Sequence, residues 1–386
     1  MARNRVIYQS EGLYVNNVAS SGSAASSEQL ARVQSANYSF TINRQDVNQY
    51  GDLARIDSLV LDPPTVSLDF SYYLTDGFNE RALGFFVQHT GVADNSQRFA
   101  NAGSNTQGNF ASGQLTAGSG VNFYIVTSPN GEDLNKSPVE ALDADDTVIG
   151  IGNAYLTDYS VDMSVGSLPT VSVTAEAANM NSVASAAAGF ENPAVDQEAG
   201  TKYVKAVTLP SPNISGGLNA KGAGALSALR PGDITLSLAN LETDSLVEID
   251  GVGGAHVQSA SISVPLSRSP IDRLGSRFPF AREVDFPVSC TFNVSAVVSE
   301  TQAKNLADVL DLGESEASLT IQDQQTSSIA AIKYTLKGLK IDSQSFSSSI
   351  GANKTVDLTF STQIGGPNDE ANGIFMSGAG FTPVFE

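Results

Sequence analysis

Apolar residues in this chain return at every second position through long stretches. Tyr38, Phe40 and Ile42 alternate with Ser39, Thr41 and Asn43, and Val66, Leu68, Phe70 and Tyr72 alternate with Ser67, Asp69, Ser71 and Tyr73. The same beat recurs in Ile262, Val264 and Leu266, and again in Val288, Cys290, Phe292 and Val294. Period-two patterning buries one face of a strand and leaves the other in water. Two hairpins are predicted: Val161, Met163 and Val165 turning at Gly166 into Val171 and Val173, and Phe346 turning at Gly351 into Val356, Leu358 and Phe360. Helical spacing is confined to two places. Ser299-Glu300-Thr301-Gln302 reads as a capping box ahead of Ala303, Leu306, Ala307 and Leu310, and a shorter helix is expected around Asn79 to Phe86. The pattern predicts an all-β chain with minor α.

The alternation also repeats itself along the chain. Arg32-Val33-Gln34-Ser35-Ala36-Asn37-Tyr38-Ser39-Phe40 is echoed by His256-Val257-Gln258-Ser259-Ala260-Ser261-Ile262-Ser263-Val264 at an offset of 224 residues. Arg44 then falls on Arg268 and Gly51 on Gly275. A two-residue slip aligns Val66 to Phe70 with Val288 to Phe292, which places Cys290 on Leu68. Farther on, Asp158 to Thr174 matches Ser343 to Thr359. Units of this length imply two copies of one domain, because solenoid repeats are far shorter. The expected division is a first domain at 1–180, an Ala/Gly/Ser-rich linker at 181–230 and a second domain at 231–386. Each domain is expected to be a β-sandwich or barrel with one packed helix and long hairpins. The first carries a Gly/Asn/Ser-rich insertion at about 90–120, expected as a surface loop, and the linker is expected to pack along the outside.

Charge narrows the partners. The chain is −20 overall, with 16% charged residues, and each half is acidic: 8 Lys/Arg against 19 Asp/Glu in 1–180, and 9 against 19 in 231–386. No basic stripe of the kind that grips phosphate is visible, which argues against binding nucleic acid but not against conducting it. A single cysteine, Cys290, excludes an intrachain disulfide and reads as a buried small hydrophobe. The first residues lack the apolar core of a signal peptide, and no run reaches membrane-spanning length, so assembly in a cytoplasm is expected.

Catalytic patterns are wanting. The two histidines, His89 and His256, have no ligand-like neighbours in sequence. Gly150-x-Gly152 and Gly222-x-Gly224 lack the third glycine of a dinucleotide fingerprint and are expected in turns or linkers. Asp143-Ala144-Asp145-Asp146 departs from an EF-hand, with Val148 at its sixth position and Ala154 at its twelfth, and reads as a solvated acidic loop. Neither an enzyme nor a cofactor or metal is expected.

The blocks Leu30 to Val47 with Pro64 to Tyr73, and Ala154 to Val173, resemble the major tail tube proteins of tailed bacteriophages. The resemblance covers both copies outside the linker and the insertion, and no catalytic motif carries it. It implies a β-sandwich whose hairpins join those of neighbours into a closed barrel, six domains to a ring. Most members carry one domain per chain, so a duplicated chain implies a homotrimer with pseudo-sixfold symmetry. Asp69, Asp158, Asp162, Asp342 and Asp357 lie on or beside the matched strands and are candidates to face the lumen. The mixed-charge connections are candidates for ring stacking: Arg44, Asp46, Asp52, Arg55 and Asp57 in the first copy, and Arg268, Asp272, Arg273, Arg277, Arg282 and Glu283 in the second. The implied partners are further copies of the chain and the tape-measure, tail-tip and tail-terminator proteins, with DNA as repelled cargo and no membrane. The implied location is the virion tail. The alternative is a phage decoration or adhesion module whose insertion meets a host glycan or a virion partner.

Overall fold

Strand-forming alternation on this scale has to be satisfied by pairing, and the chain pairs nearly all of it into one extended network, antiparallel except where β7 joins β22. The computed structural model describes the chain except residues 1–9, 17–26, 62, 90–109, 112–113, 115–119, 130–131, 136–140, 187–188, 198, 200, 204–205, 213–228, 230, 238–255, 276–277, 299–313, 323–329, 352, 367–368, 370 and 379–386. The expected helix at 299–310 and Arg277 lie outside the described residues, as does most of the 90–120 insertion.

In chain order the first part contains β1 (Glu11–Asn16), β2 (Ser27–Gln29), β3 (Val33–Thr41), β4 (Arg44–Val47), β5 (Asp57–Val60) and β6 (Thr65–Tyr73). The short helix α1 (Phe78–Ala82) follows, then β7 (Val87–His89), β8 (Val121–Thr127), β9 (Thr147–Ser164), β10 (Thr170–Ala177) and β11 (Asn179–Val183). A ribbon of β12 (Val195–Asp196) and β13 (Thr201–Lys202) precedes β14 (Ile234–Ser237) and β15 (His256–Pro265). The rest comprises β16 (Arg268–Ile271), β17 (Ala281–Val284), β18 (Val288–Val297), β19 (Ser315–Gln322), β20 (Ala330–Ser347), β21 (Thr355–Ile364) and β22 (Gly373–Gly378).

Eight strands form the central sheet, in the order β3-β6-β10-β9-β15-β18-β21-β20. The 18-residue strands β9 and β20 each serve two sheets. Their second halves lie in the central sheet, while the first half of β9 pairs with β8 and β11 and that of β20 with β19 and β22. β1 extends the one side through β8, and β14 extends the other through β19.

Registers in the two parts coincide pair by pair. Adding 224 to β3 and β6 gives β15 and β18 with the pairing kept: Ala36 faces Phe70, and Ala260 faces Val294. Adding 185 to β9 and β10 gives β20 and β21: Val173 faces Tyr159, and Leu358 faces Gln344. The irregularities coincide as well. Gln34 and Gln258 are each skipped by a β-bulge, and each amide donates to the carbonyl two residues earlier, Arg32 O at 3.0 Å and His256 O at 3.2 Å. Thr157 and Asp342 are skipped in β9 and β20. Asn153 (φ 53°) and Gly338 (φ 66°), 185 residues apart, both hold the left-handed conformation where these strands change sheets. Bulges bend a strand and raise its twist, which is how one strand turns from one sheet into another.

One expected alignment is corrected. The offset of 224 persists through β6 and β18, so Cys290 corresponds to Val66 rather than Leu68. A strict alternation matches itself when moved by two residues, since the side-chain period is two. The sequence therefore offered a slip that the hydrogen-bond ladder does not contain.

One continuous core runs under the central sheet, from Leu68, Phe70 and Tyr159 through Ile262 and Val264 to Phe292, Tyr334 and Phe360. Phe110 and Ala111, at the end of the insertion, are buried in it, and the Phe110 amide donates to Ile374 O at 2.7 Å. For these two residues the surface-loop expectation gives way, because the aromatic ring stacks on Phe85 at 4.3 Å. A second cluster joins Tyr14, Tyr124 and Val148 to Phe190, Val207 and Leu209, so the described part of 181–209 packs onto the outer face of β1, β8 and β9. Gly150 and Gly152 lie inside β9, not in a turn: a Cβ at Gly152 would collide with the Pro193 carbonyl. Glycine in a strand here makes room for the close approach of another backbone.

Candidate functional site

The outward face of the central sheet is chemically uniform across its strands. Cross-strand pairing lines up Ser35, Ser71, Ser172, Ser160, Ser263, Thr291 and Ser361 as a row of hydroxyls across seven strands. Neighbours in such rows hydrogen-bond directly, with Ser35 Oγ 2.7 Å from Ser71 Oγ and Ser39 Oγ 2.8 Å from Ser67 Oγ. Asn37, Asp69, Thr174 and Asp158 make a second row. Asp162 faces Ser261 and Asp357 faces Ser295 in further rows. Strand alternation explains the segregation: away from the edge strand β3, these residues alternate with buried apolar neighbours such as Leu68, Val161 and Val356.

Four of the five aspartates expected in a lumen thus share this one face. Asp69, Asp162 and Asp357 are exposed, while Asp158 is half-buried and its burial raises the carboxyl pKa. Asp342 is the exposed bulge residue of β20. Lys333 and Lys337 lie on the first half of β20, outside the central sheet, and within the central sheet the only Lys or Arg is Lys340, at the edge beside Ser361. The face presents short hydroxyls and carboxylates, and almost nothing that would hold a phosphate.

The expected stacking residues separate into two groups. Arg44, Asp46, Asp52, Arg55 and Asp57 are all exposed on the β4–β5 hairpin, with Arg55 paired to Asp46 at 3.0 Å and Asp52 accepting from the Gln49 amide. Asp272, Arg273 and Glu283 are exposed on the β16–β17 hairpin. Arg282 and Arg268 are turned inward instead. Arg282 is paired to Glu176 of β10 at 2.7 Å with its side chain 7% exposed, and both guanidinium groups lie over the Tyr155 ring, at 5.8 and 5.0 Å. Arg268 also donates to Gln114 O. These two are corrected from loop charges to a clamp holding the hairpin of the second part onto β9 and β10 of the first. Tyr155 and Glu176 were missed, although their place in the matched strands was readable.

A buried polar cluster was missed entirely. Glu80 of α1 is fully buried, and its Oε1 accepts from Tyr72 Oη at 2.9 Å and Tyr159 Oη at 3.2 Å. Tyr159 Oη is in turn 2.9 Å from Tyr334 Oη of β20. Burial pushes the Glu80 carboxyl up to about 7, with buried Asp76 adding to it and the tyrosine hydrogen bonds opposing it. The one signal was an acidic residue set among Phe78, Ala82, Leu83 and Phe85.

The remaining candidates are structural. The Cys290 thiol is buried and pushed up to about 12, far from a nucleophile's range. Asp146 is buried, not solvated, and ties the loop before β9 by accepting from Ser128 Oγ at 2.7 Å and Asp143 N at 3.0 Å. Among the described residues no cluster of His, Cys, Asp and Glu could hold a metal ion, and no helix is long and apolar enough to cross a membrane. No protein-family model and no curated protein sequence matches this chain.

Proposed function

We propose that this chain is a structural subunit of a phage tail tube, assembling into stacked rings around a channel through which DNA passes. The carrying observation is the eight-stranded sheet with an acidic, hydroxyl-rich face containing Lys340 as its sole Lys or Arg. A sheet left open at both ends is a hazard unless its edges find partners, and closure into a barrel removes the edges altogether. Three copies would supply eight strands each, and barrels of about 16–18 strands already keep an aqueous channel. With the acidic face inward, the wall repels phosphate over roughly 8 Å at physiological salt, so that a duplex slides without sticking. The exposed β4–β5 and β16–β17 tips would meet the neighbouring ring. Tape-measure, tail-tip and terminator proteins are the further partners of this reading, and the virion tail its location. The test is negative-stain electron microscopy of purified protein at rising concentration. Hollow rings or tubes with threefold blocks and sixfold pseudo-symmetry are expected. Compact monomers at every concentration would favour a decoration or adhesion module.

A further inference from the structure

We infer that copies of this chain join with β20 of one against β3 of the next, in the register β9 and β15 already use inside the chain. The inference rests on the reading of the chain as a ring-forming subunit and names the contact that reading leaves open. Inside the chain, β9 and β15 make a seam with Val161 opposite Ile262. The offsets fixed by the ladders, 185 for β9 to β20 and 224 for β15 to β3, carry that pair to Phe346 opposite Tyr38. The same arithmetic sets Ser345 opposite Ser39 and Ser347 opposite Asn37.

Exposure says the second seam is unfilled. Val161 and Ile262 are 0% and 1% exposed, whereas Phe346 and Tyr38 are 42% and 36% exposed, and Phe40 is 57% exposed where its counterpart Val264 is 0%. All of these project to the core side of the sheet. The bulge of β3 lies at Gln34, and beyond it residues 36–41 carry no Lys, Pro, charge or further bulge, while Asp342 is the only charge between Ile341 and Ser347. An edge that carries its apolar row uncovered and unguarded is built to be paired.

The two seams differ in chemistry. Where the internal seam has Arg268 over Tyr155 and Arg282 on Glu176, the corresponding positions of the other are Arg44 near Lys340, and Ser58 near Ser361. The charged clamp is absent, and Lys340 is paired with Glu314 at 3.9 Å. The seam between copies is therefore held by backbone pairing and apolar burial alone, a weaker joint that lets free chains assemble.

Paired cysteines test the register. Opposed positions of an antiparallel ladder are within disulfide reach, and positions four residues out of register are not. In a Cys290→Ala background, Asn37→Cys with Ser347→Cys should give covalent oligomers ending at the closed ring on oxidation. Asn37→Cys with Ser343→Cys should give few. Separately, Tyr38→Ser with Phe346→Ser should raise the concentration needed for assembly at least tenfold while circular dichroism stays unchanged. Rings in the microscope with no 37–347 cross-link, or with a dominant 37–343 one, would overturn this seam and leave the tube standing. Monomers throughout would remove both.

Discussion

Glu80 holds a carboxyl group in the middle of a core, with three tyrosine hydroxyls from β6, β9 and β20 gathered around it. Its folded pKa of about 7 lies above the ordinary 4.5, so between those values the folded chain binds a proton that the unfolded chain has lost. Stability contributed by this group is thus full below pH 4.5 and is lost as pH rises toward 7, a difference of about 3 kcal/mol by linkage. Glu80→Gln keeps an acceptor for Tyr72 and Tyr159 but cannot ionise. Urea unfolding at several pH values between 4.5 and 8 should show wild type losing stability relative to the variant across that window. Parallel curves would mean the carboxyl is not held neutral. A lone acidic residue among apolar neighbours is a faint warning in sequence: Tyr72 is 8 residues away, but Tyr159 is 79 residues away and Tyr334 a further 175.

The β16–β17 hairpin shows how a loop of mixed charge becomes a fixed element. Its sequence reads as solvated, yet Arg282 is buried against Glu176 and Tyr155. Arg282→Ala should lower stability by about 2 kcal/mol, since a buried ion pair and the stem's packing are both lost. Glu176→Gln should cost less than about 1 kcal/mol, because Glu176 remains 40% exposed. Chemical denaturation midpoints check both, and equal effects would mean that packing by the Arg282 stem is not the larger part. The contrast explains what could be read in advance. Alternation in β3, β6, β15 and β18, the Gly166 and Gly351 turns and the Arg44/Arg268 match are local signals, and local signals survive in sequence. Strand β8 gave none, since it is buried at every position and carries no alternation, whereas β19 alternates buried Ala317, Leu319 and Ile321 with Ser318 and Thr320 and was legible. Which side of a hairpin turns inward depends on a neighbour more than a hundred residues away, and alternation carries no trace of it.

Across the whole molecule the corresponding registers make one continuous sheet from two similar parts, and its two ends complement each other by the same rule that joins its middle. Each copy carries −20, so copies repel as they approach, while the seam inferred between them is apolar. The two contributions answer to salt in opposite ways from a charge-driven contact. Screening shortens the reach of repulsion from about 10 Å at 0.1 M salt to about 3 Å at 1 M and leaves apolar burial in place. Assembly should therefore begin at a lower protein concentration as sodium chloride rises through that range, as followed by light scattering or sedimentation. Dissolution of the rings by salt would instead identify ion pairs as the joint, and would assign the holding role to Arg44, Lys340 and their acidic neighbours. The internal seam should move less under either outcome, because Arg282 is buried on its side of the pair and a partly buried pair is screened less than one in water.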